Sequence, residues 1–383
     1  MKEKLLAMLA AVILLIGGLT ATCAKAQEDA LLKEERVQEI MSEMSLHEKV
    51  CQLFFVRPED FSRIEKVTDA DAKLMRAFER FPVGGVILFP VNMKNAKQLL
   101  ALNQGMQEYA KAVNAIGLFI GVDEEGGGVA RVAKKLRLSN AVAVMSEIGE
   151  TNDPEAAYEA GSTIGTYLKE LGFTLDFAPV ADVRLDVKKP EITLRSFGFD
   201  AKMVSQMVSR FVSGIQEQEI LSVLKHFPGH GSVSGNSHNG VATSTRTVSQ
   251  WKSSEWLPFQ AGIDAGAQVV LMSHQLALAV DADFPSSLSY TTVTELLRGE
   301  LGFDKIVITD ALRMDSISNE YGSGDACVQA LLAGCDMLLL PTNFTNGYNG
   351  VMKAVEDGRL TQERIDESVK RILLVKLAWG LVE

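Results

Sequence analysis

Eight short apolar runs spaced along the chain narrow the fold more than any other feature. They are CQLFFV (51–56), GVILFP (85–90), LFIGVD (118–123), FTLDFAPV (173–180), ILSVLKHF (220–227), VVLMSH (269–274), IVITD (306–310) and MLLLP (337–341). Most are near-continuous in apolar residues, so each predicted strand is covered on both faces, as in a parallel sheet. The intervals, for example 153–171 and 249–265, can hold helices that carry the chain back for the next parallel strand. Eight such units predict an α/β fold, a (β/α)8 barrel of TIM type in one domain. A doubly wound open sheet is the second possibility, because the interval between the first two runs is short of apolar periodicity. Near the start, Ser45-Leu46-His47-Glu48 has the spacing of a helix capping box and follows an amphipathic helix through Leu31, Val37, Ile40, Met41 and Met44. At the other end, Thr361 caps a predicted last outer helix with Ile365, Val369, Ile372, Leu373 and Lys376 at helical spacing.

Residues 1–26 read as a signal peptide rather than as part of the fold. Lys2 and Lys4 precede an apolar run, Leu5 to Leu19, and Ala24-Lys25-Ala26 offers small residues for cleavage. The run is too short for a stable membrane span. The expected product is a barrel domain over 27–383 in the periplasm or secreted, with a lipoprotein anchored at Cys23 as the alternative. The leader holds three lysines against one glutamate, a net +2 whose removal takes the chain from −11 to −13. That acidity argues against nucleic acid or an anionic membrane surface as partner. Cys51, Cys327 and Cys335 remain, an odd number without regular spacing, and read as buried thiols, with one disulfide possible in an oxidising compartment.

In a barrel of this type the chemistry lies where the strands end. The third run ends at Asp123-Glu124-Glu125-Gly126-Gly127, the fifth at Lys225-His226-Phe227-Pro228-Gly229-His230, the sixth at Ser273-His274 and the seventh at Thr309-Asp310, while Arg195 follows the fourth. Polar ends converging on one rim suit a polar ligand such as a sugar. Each has a plainer explanation: Asp310 as the cap of a helix starting at Ala311, Asp123 as a turn residue, Arg131, Arg195 and Lys225 as structural ion pairs, His226 as a satisfied rim histidine. His226 and His230 stand four apart, a zinc spacing on a helix, but Pro228 and Gly229 between them disfavour that helix. No metal or organic cofactor is expected. What is left for the stretch 225–240 is a structural loop with surface histidines or a flexible loop that brings His238 over the rim.

Taken in order, VDEEGG, LRSFG, KHFPGHG followed by SH, and ITDALRM resemble glycoside hydrolase family 3, in particular its single-domain β-N-acetylhexosaminidase branch, over about Met44 to Pro341. The resemblance implies a (β/α)8 barrel and retaining hydrolysis of terminal β-linked N-acetylglucosamine. It implies Asp310 as nucleophile and His238 as acid/base on a mobile loop, with Asp123, Arg131, Arg195, Lys225 and His226 holding the sugar hydroxyls. The implied partner is a small carbohydrate such as a glycan or cell-wall fragment. Asn236 stands where the family's loop has the aspartate that orients the histidine; an amide can accept from the ring but carries no charge. Gly128 and the segment 184–192 also depart from the family's usual pattern. The leading expectation is therefore an exported β-N-acetylglucosaminidase. The alternatives are a phosphorylase, since a histidine acid/base admits phosphate without like-charge repulsion, and a sugar-binding pseudoenzyme, suggested by Asn236.

Overall fold

The computed structural model describes residues 29–185, 190–233 and 242–382. Two compact units divide the chain, one ending at Met44 and one running from Ser45 to Glu383. The described part of the first is a helix over 29–43. The second opens with the predicted capping box: Ser45 and Glu48 exchange hydrogen bonds at the start of the helix Leu46–Gln52.

All eight apolar runs contain a strand. These are β1 (Phe54–Val56), β2 (Gly85–Ile87), β3 (Phe119–Val122), β4 (Leu175–Asp176), β5 (Leu221–Phe227), β6 (Val269–Met272), β7 (Ile306–Thr309) and β8 (Leu338–Leu339). Their order in the sheet is β7-β6-β5-β4-β3-β2-β1-β8, every pair parallel. A parallel bridge between Ile308 and Met337 joins the two ends, and the Thr309 N–H donates to the Met337 carbonyl at 3.1 Å. The sheet is thus a nearly closed barrel, and the open doubly wound alternative is overturned. The fourth run is mostly irregular, because Pro179 has no N–H to give a neighbouring strand; only a bridge from Val180 to Lys225 continues the pairing.

The outer layer follows the strands. It comprises α1 (Ala72–Arg80), α2 (Ala96–Asn114), α3 (Pro154–Glu170), α4 (Ala201–Gln216), α5 (Trp256–Asp264), the π-helical α6 (Thr291–Glu300), α7 (Ser323–Ala333), α8 (Phe344–Glu356) and α9 (Gln362–Ala378). Asp153 caps α3 and Thr361 caps α9, as their positions before the apolar periodicity predict. The expected helix over 249–265 is instead two, Val248–Ser253 and α5, with the break at Ser254 (φ −143°, ψ −84°). Small residues bring α3 and α4 into close contact: a Cβ on Gly161 would lie 2.4 Å from the Phe211 carbonyl oxygen. Inside the barrel, Phe55 and Phe177 pack edge to face at 5.3 Å between centroids. A Cβ on Gly121 would come within 2.9 Å of both rings, so the glycine leaves the volume that the two phenyl groups fill.

The end of the barrel where the strands begin carries a separate ionic cluster: buried Asp336, just before β8, lies 2.6 Å from Arg298 Nη2 and 3.0 Å from Arg371 Nη1 and accepts the Val307 N–H at 2.9 Å. At the same end, buried Lys376 of α9 donates to Gln52 Oε1 at 2.7 Å and lies 5.1 Å above the Phe119 ring. Among the described residues no carboxylate forms an ion pair with it, and burial drives its amine well below the usual lysine range. Cys51, Cys327 and Cys335 are buried free thiols. Burial raises all three, Cys335 to about 12, so they stay protonated and unreactive. Among the described residues, no helix is long and apolar enough to cross a membrane.

Candidate active site

The polar residues predicted at the strand ends meet at the opposite mouth. After β3, the chain turns through Asp123-Glu124-Glu125, and successive side chains point to opposite sides. Asp123 and Glu125 both meet Lys225 at the end of β5, with Lys225 Nζ 3.1 Å from Asp123 Oδ1 and 2.5 Å from Glu125 Oε1. Glu124 turns the other way. It accepts from the Val132 and Ala133 N–H groups at 2.6 and 2.9 Å and from the Tyr167 hydroxyl at 2.9 Å. The turn needs glycine: Gly127 has φ +50°, and a Cβ there would lie 2.0 Å from Val144.

Arg195 completes this group from across the mouth. Its guanidinium grips Glu125 with two bonds of 2.7 Å, a planar fork on a carboxylate. Burial alone raises the Glu125 carboxyl, but Lys225 and Arg195 overcome it and hold the pKa at about 2. Burial correspondingly works against the charge of Lys225 and Arg195, and their carboxylates outweigh it, so both stay cationic. His226 joins the group through Nε2, 3.5 Å from Arg195 Nη2, while its Nδ1 lies 2.8 Å from Asp182. Arg131 belongs by its backbone, whose N–H donates to the Asp123 carbonyl at 3.3 Å; its buried Nε has no hydrogen-bond partner among the described residues. Beneath lies Asp176 at the end of β4, with Oδ1 accepting the Glu124 N–H at 2.9 Å. Burial raises Asp176 well above the carboxylate range, so it is a neutral acid bracing the Asp123–Glu125 turn.

On the other side, β7 delivers Asp310. Its Oδ1 accepts the Ala311 N–H at 2.7 Å. No helix starts there, in contrast to the capping alternative; the chain turns first and the next helix is Asp315–Ser318. His274, at the end of β6, braces the same turn: its Nε2 lies 3.0 Å from the Ala311 carbonyl and its Nδ1 2.7 Å from Ser287 Oγ. Burial lowers the His274 pKa against the pull of Asp310, so the ring is neutral at pH 7 and donates from Nε2. Burial would raise the Asp310 carboxyl, but the His274 and His226 rings, the Ala311 N–H and Lys225 bring it below the usual range. With His274 neutral, the supports that persist at pH 7 include the peptide N–H and the Lys225 charge. Asp310 is thus an ionised carboxylate at the mouth, facing the side that carries Asp123, Lys225 and Arg195.

His238 and Asn236 lie outside the described residues, as do the leader and Cys23. Sequence reasoning assigned no role to Glu125, Asp176, Asp182 or Ser287. A signal existed for Asp182, the one polar residue in FAPVADV (177–183), since a charge inside an apolar run must be paired. Glu125 gave none, because its partner Arg195 is 70 residues away.

Comparison with known proteins gives a consistent result. The sequence profile described as "Glycosyl hydrolase family 3 N terminal domain" matches residues 45–375. Over 335 residues the chain is 31% identical to "Beta-hexosaminidase A" of Pseudoalteromonas piscicida, covering 81% of this chain and 56% of that protein. It is 34% identical to a "Beta-hexosaminidase" of Chromobacterium violaceum over 67% of this chain and 71% of the relative. Among solved structures, a family 3 β-N-acetylglucosaminidase from Paenibacillus sp. str. FPU-7 superposes with a TM-score of 0.82 at 33% identity, covering 88% of this chain and 63% of that one. A β-N-acetylhexosaminidase from Beutenbergia cavernae gives a TM-score of 0.74 at 26% identity, covering 88% and 99% of the two chains. The chain thus spans less than two thirds of the Pseudoalteromonas and Paenibacillus relatives and nearly all of the Beutenbergia one.

Proposed function

The chain belongs to glycosyl hydrolase family 3, and from that premise we propose that it is a retaining β-N-acetylglucosaminidase acting on terminal β-linked N-acetylglucosamine. The observation that carries the reading is the ionised Asp310 facing a paired-charge network at one barrel mouth. In the proposed reaction Asp310 attacks the anomeric carbon while the glycosidic bond breaks and His238 gives its proton to the leaving oxygen. A covalent glycosyl-aspartate forms. Water then attacks the same carbon, His238 takes back a proton, and the Asp310 carboxylate is released. Asp123, Lys225, Arg195 and His226, with Arg131, are the proposed holders of the sugar's hydroxyl groups. Charged groups fixed by one another keep their positions while neutral hydroxyls exchange against water. The hexosaminidase names of the relatives support the amino sugar as substrate.

Export is part of the proposal and rests on the leader: Lys2 and Lys4 before an apolar run, with cleavage after Ala26 and lipidation at Cys23 as the alternative. The mass of the mature N-terminus in the native host distinguishes the two.

The direct test is nitrophenol release from the β-N-acetylglucosaminide and the β-glucoside by wild type and Asp310→Asn. Nitrophenol leaves with little help from an acid, so this examines the nucleophile apart from His238. Turnover of the N-acetylglucosaminide that falls by on the order of 10⁴-fold in the variant supports the proposal. A folded wild type that binds N-acetylglucosamine calorimetrically without turnover would be a sugar-binding pseudoenzyme. Formation of a sugar 1-phosphate in phosphate buffer would make it a phosphorylase.

A further inference from the structure

Asp182 lies just beyond β4, buried, the one polar residue between Phe177 and Val183. Its two oxygens serve different neighbours. Oδ2 lies 2.8 Å from His226 Nδ1. Oδ1 accepts the backbone N–H of His230 at 2.6 Å and, at 3.4 Å, that of His226. Burial acts to raise this carboxyl, and the two histidines and their bonds bring it below the usual range, so Asp182 is ionised. An ionised carboxylate only accepts, which places a proton on Nδ1 of His226. In the neutral ring the lone pair then sits on Nε2, the nitrogen 3.5 Å from Arg195 Nη2. A guanidinium only donates, so both neighbours of the ring select the same tautomer.

We infer that Asp182 is a positioning residue that fixes His226 as a hydrogen-bond acceptor toward the mouth, for a hydroxyl of the bound sugar, while its second oxygen ties the Pro228–His230 turn to the same wall. The inference deepens the proposed sugar site and rests on that reading for the identity of the ligand. The tautomer itself does not depend on it. An acceptor there selects sugars with a donating hydroxyl at the contacted carbon, and an analogue lacking that hydroxyl leaves Nε2 with Arg195 alone.

The test uses protein with ¹⁵N-labelled histidine rings, the His226 signals being identified by their loss in His226→Gln. In wild type without substrate, at a pH where the ring carries one proton, that proton is expected on Nδ1, leaving Nε2 bare. Asp182→Asn can still accept from the His230 N–H through its amide oxygen, but its NH2 then faces Nδ1. The ring proton is therefore expected to move to Nε2, opposite Arg195. With the nitrophenyl N-acetylglucosaminide, that variant should lose about tenfold in kcat/KM, mostly through KM, the size of one hydrogen bond. The 2-acetamido-deoxy analogues lacking one ring hydroxyl should bind wild type more weakly and the variant with little further loss at the contacted position. A wild-type ring protonated on Nε2 overturns the inference, and so does an Asp182→Asn protein that keeps the wild-type tautomer and KM. If Asp182→Asn does not fold, the wild-type spectrum decides alone. A wild type that turns over no sugar would defeat the proposed function while leaving this spectrum readable.

Discussion

On the β3–β5 side of the mouth, Lys225 and Arg195 both close on Glu125, and Lys225 also reaches Asp123. On the β6–β7 side, Asp310 is held by a peptide N–H, and the turn behind it by a neutral histidine that a serine hydroxyl holds in turn. The difference matches the two tasks proposed for the mouth. Paired charges in a buried setting are held firmly, and each partner's field is largely cancelled by the other. That suits groups that must keep their places while a neutral sugar comes and goes. A nucleophile needs the reverse, a carboxylate whose charge is left available to attack, and neutral donors orient it without consuming that charge.

Breaking the charged side should produce the largest effect on stability. Glu125→Gln leaves Lys225 and Arg195 buried with one carboxylate fewer, and should cost about 3–5 kcal/mol at pH 7, read from denaturant unfolding. The sign of its pH dependence sharpens the point. The folded pKa of about 2 lies below the unfolded value of about 4.3 for glutamate, so the stabilisation is complete above the latter and is lost as pH falls from there toward 2. The stability gap between wild type and Glu125→Gln should narrow across that window; a constant gap would show that Glu125 is not held ionised by its partners.

The neutral side should respond more mildly and in a different parameter. Ser287→Ala removes the hydroxyl 2.7 Å from His274 Nδ1 and should lower kcat on the nitrophenyl substrate about fivefold with KM little changed, the effect of about 1 kcal/mol. An equal rise in KM would place His274 with the sugar-holding groups instead. The smallest effect on activity belongs to the far end of the barrel. Lys376→Met removes an amine whose charge is opposed by burial, so it should raise stability by on the order of 1 kcal/mol, leaving kcat and KM as they are. The gain should grow as pH falls, because the unfolded lysine takes up a proton more readily than the folded one. Loss of stability at low pH would mean that the Gln52 and Phe119 contacts stabilise the ammonium.

The barrel was legible because its signal is local and repeated. Runs such as IVITD and VVLMSH announce buried parallel strands wherever they end up, and all eight became strands. The rim residues Asp123, Lys225, Arg195 and His226 were legible as polar groups at strand ends, and the fold brings those four together. What escaped was pairing at long range. Spacing cannot join Glu125 to Arg195 or Asp182 to His226, which meet only when β3, β4 and β5 lie side by side. The split of 249–265 escaped for a related reason: buried Glu255 at the break is fixed by two bonds from Arg246, a contact that outweighs the helical pattern around it. The Asp310 cap failed because strand end and helix start are separated by a turn whose bonds go to β8 and His274.

The barrel's seam has a consequence for how the protein comes into being. Asp310 is flanked by Thr309, which exchanges bonds with Met337 and Leu339, and by Leu312, whose N–H donates to Leu339. β8 in turn pairs with β1, a partner made almost three hundred residues earlier. Such distant contacts form late, after most of the chain's loop entropy has been spent on nearer ones. During synthesis, Asp310, the proposed nucleophile, therefore has no fixed seat until the last strand has emerged and found the first. A nascent chain holding every residue of the proposed sugar site, but ending before Met337, carries the parts of the mouth without the strand that sets them, and on the proposed function the onset of turnover marks the moment the ring is whole.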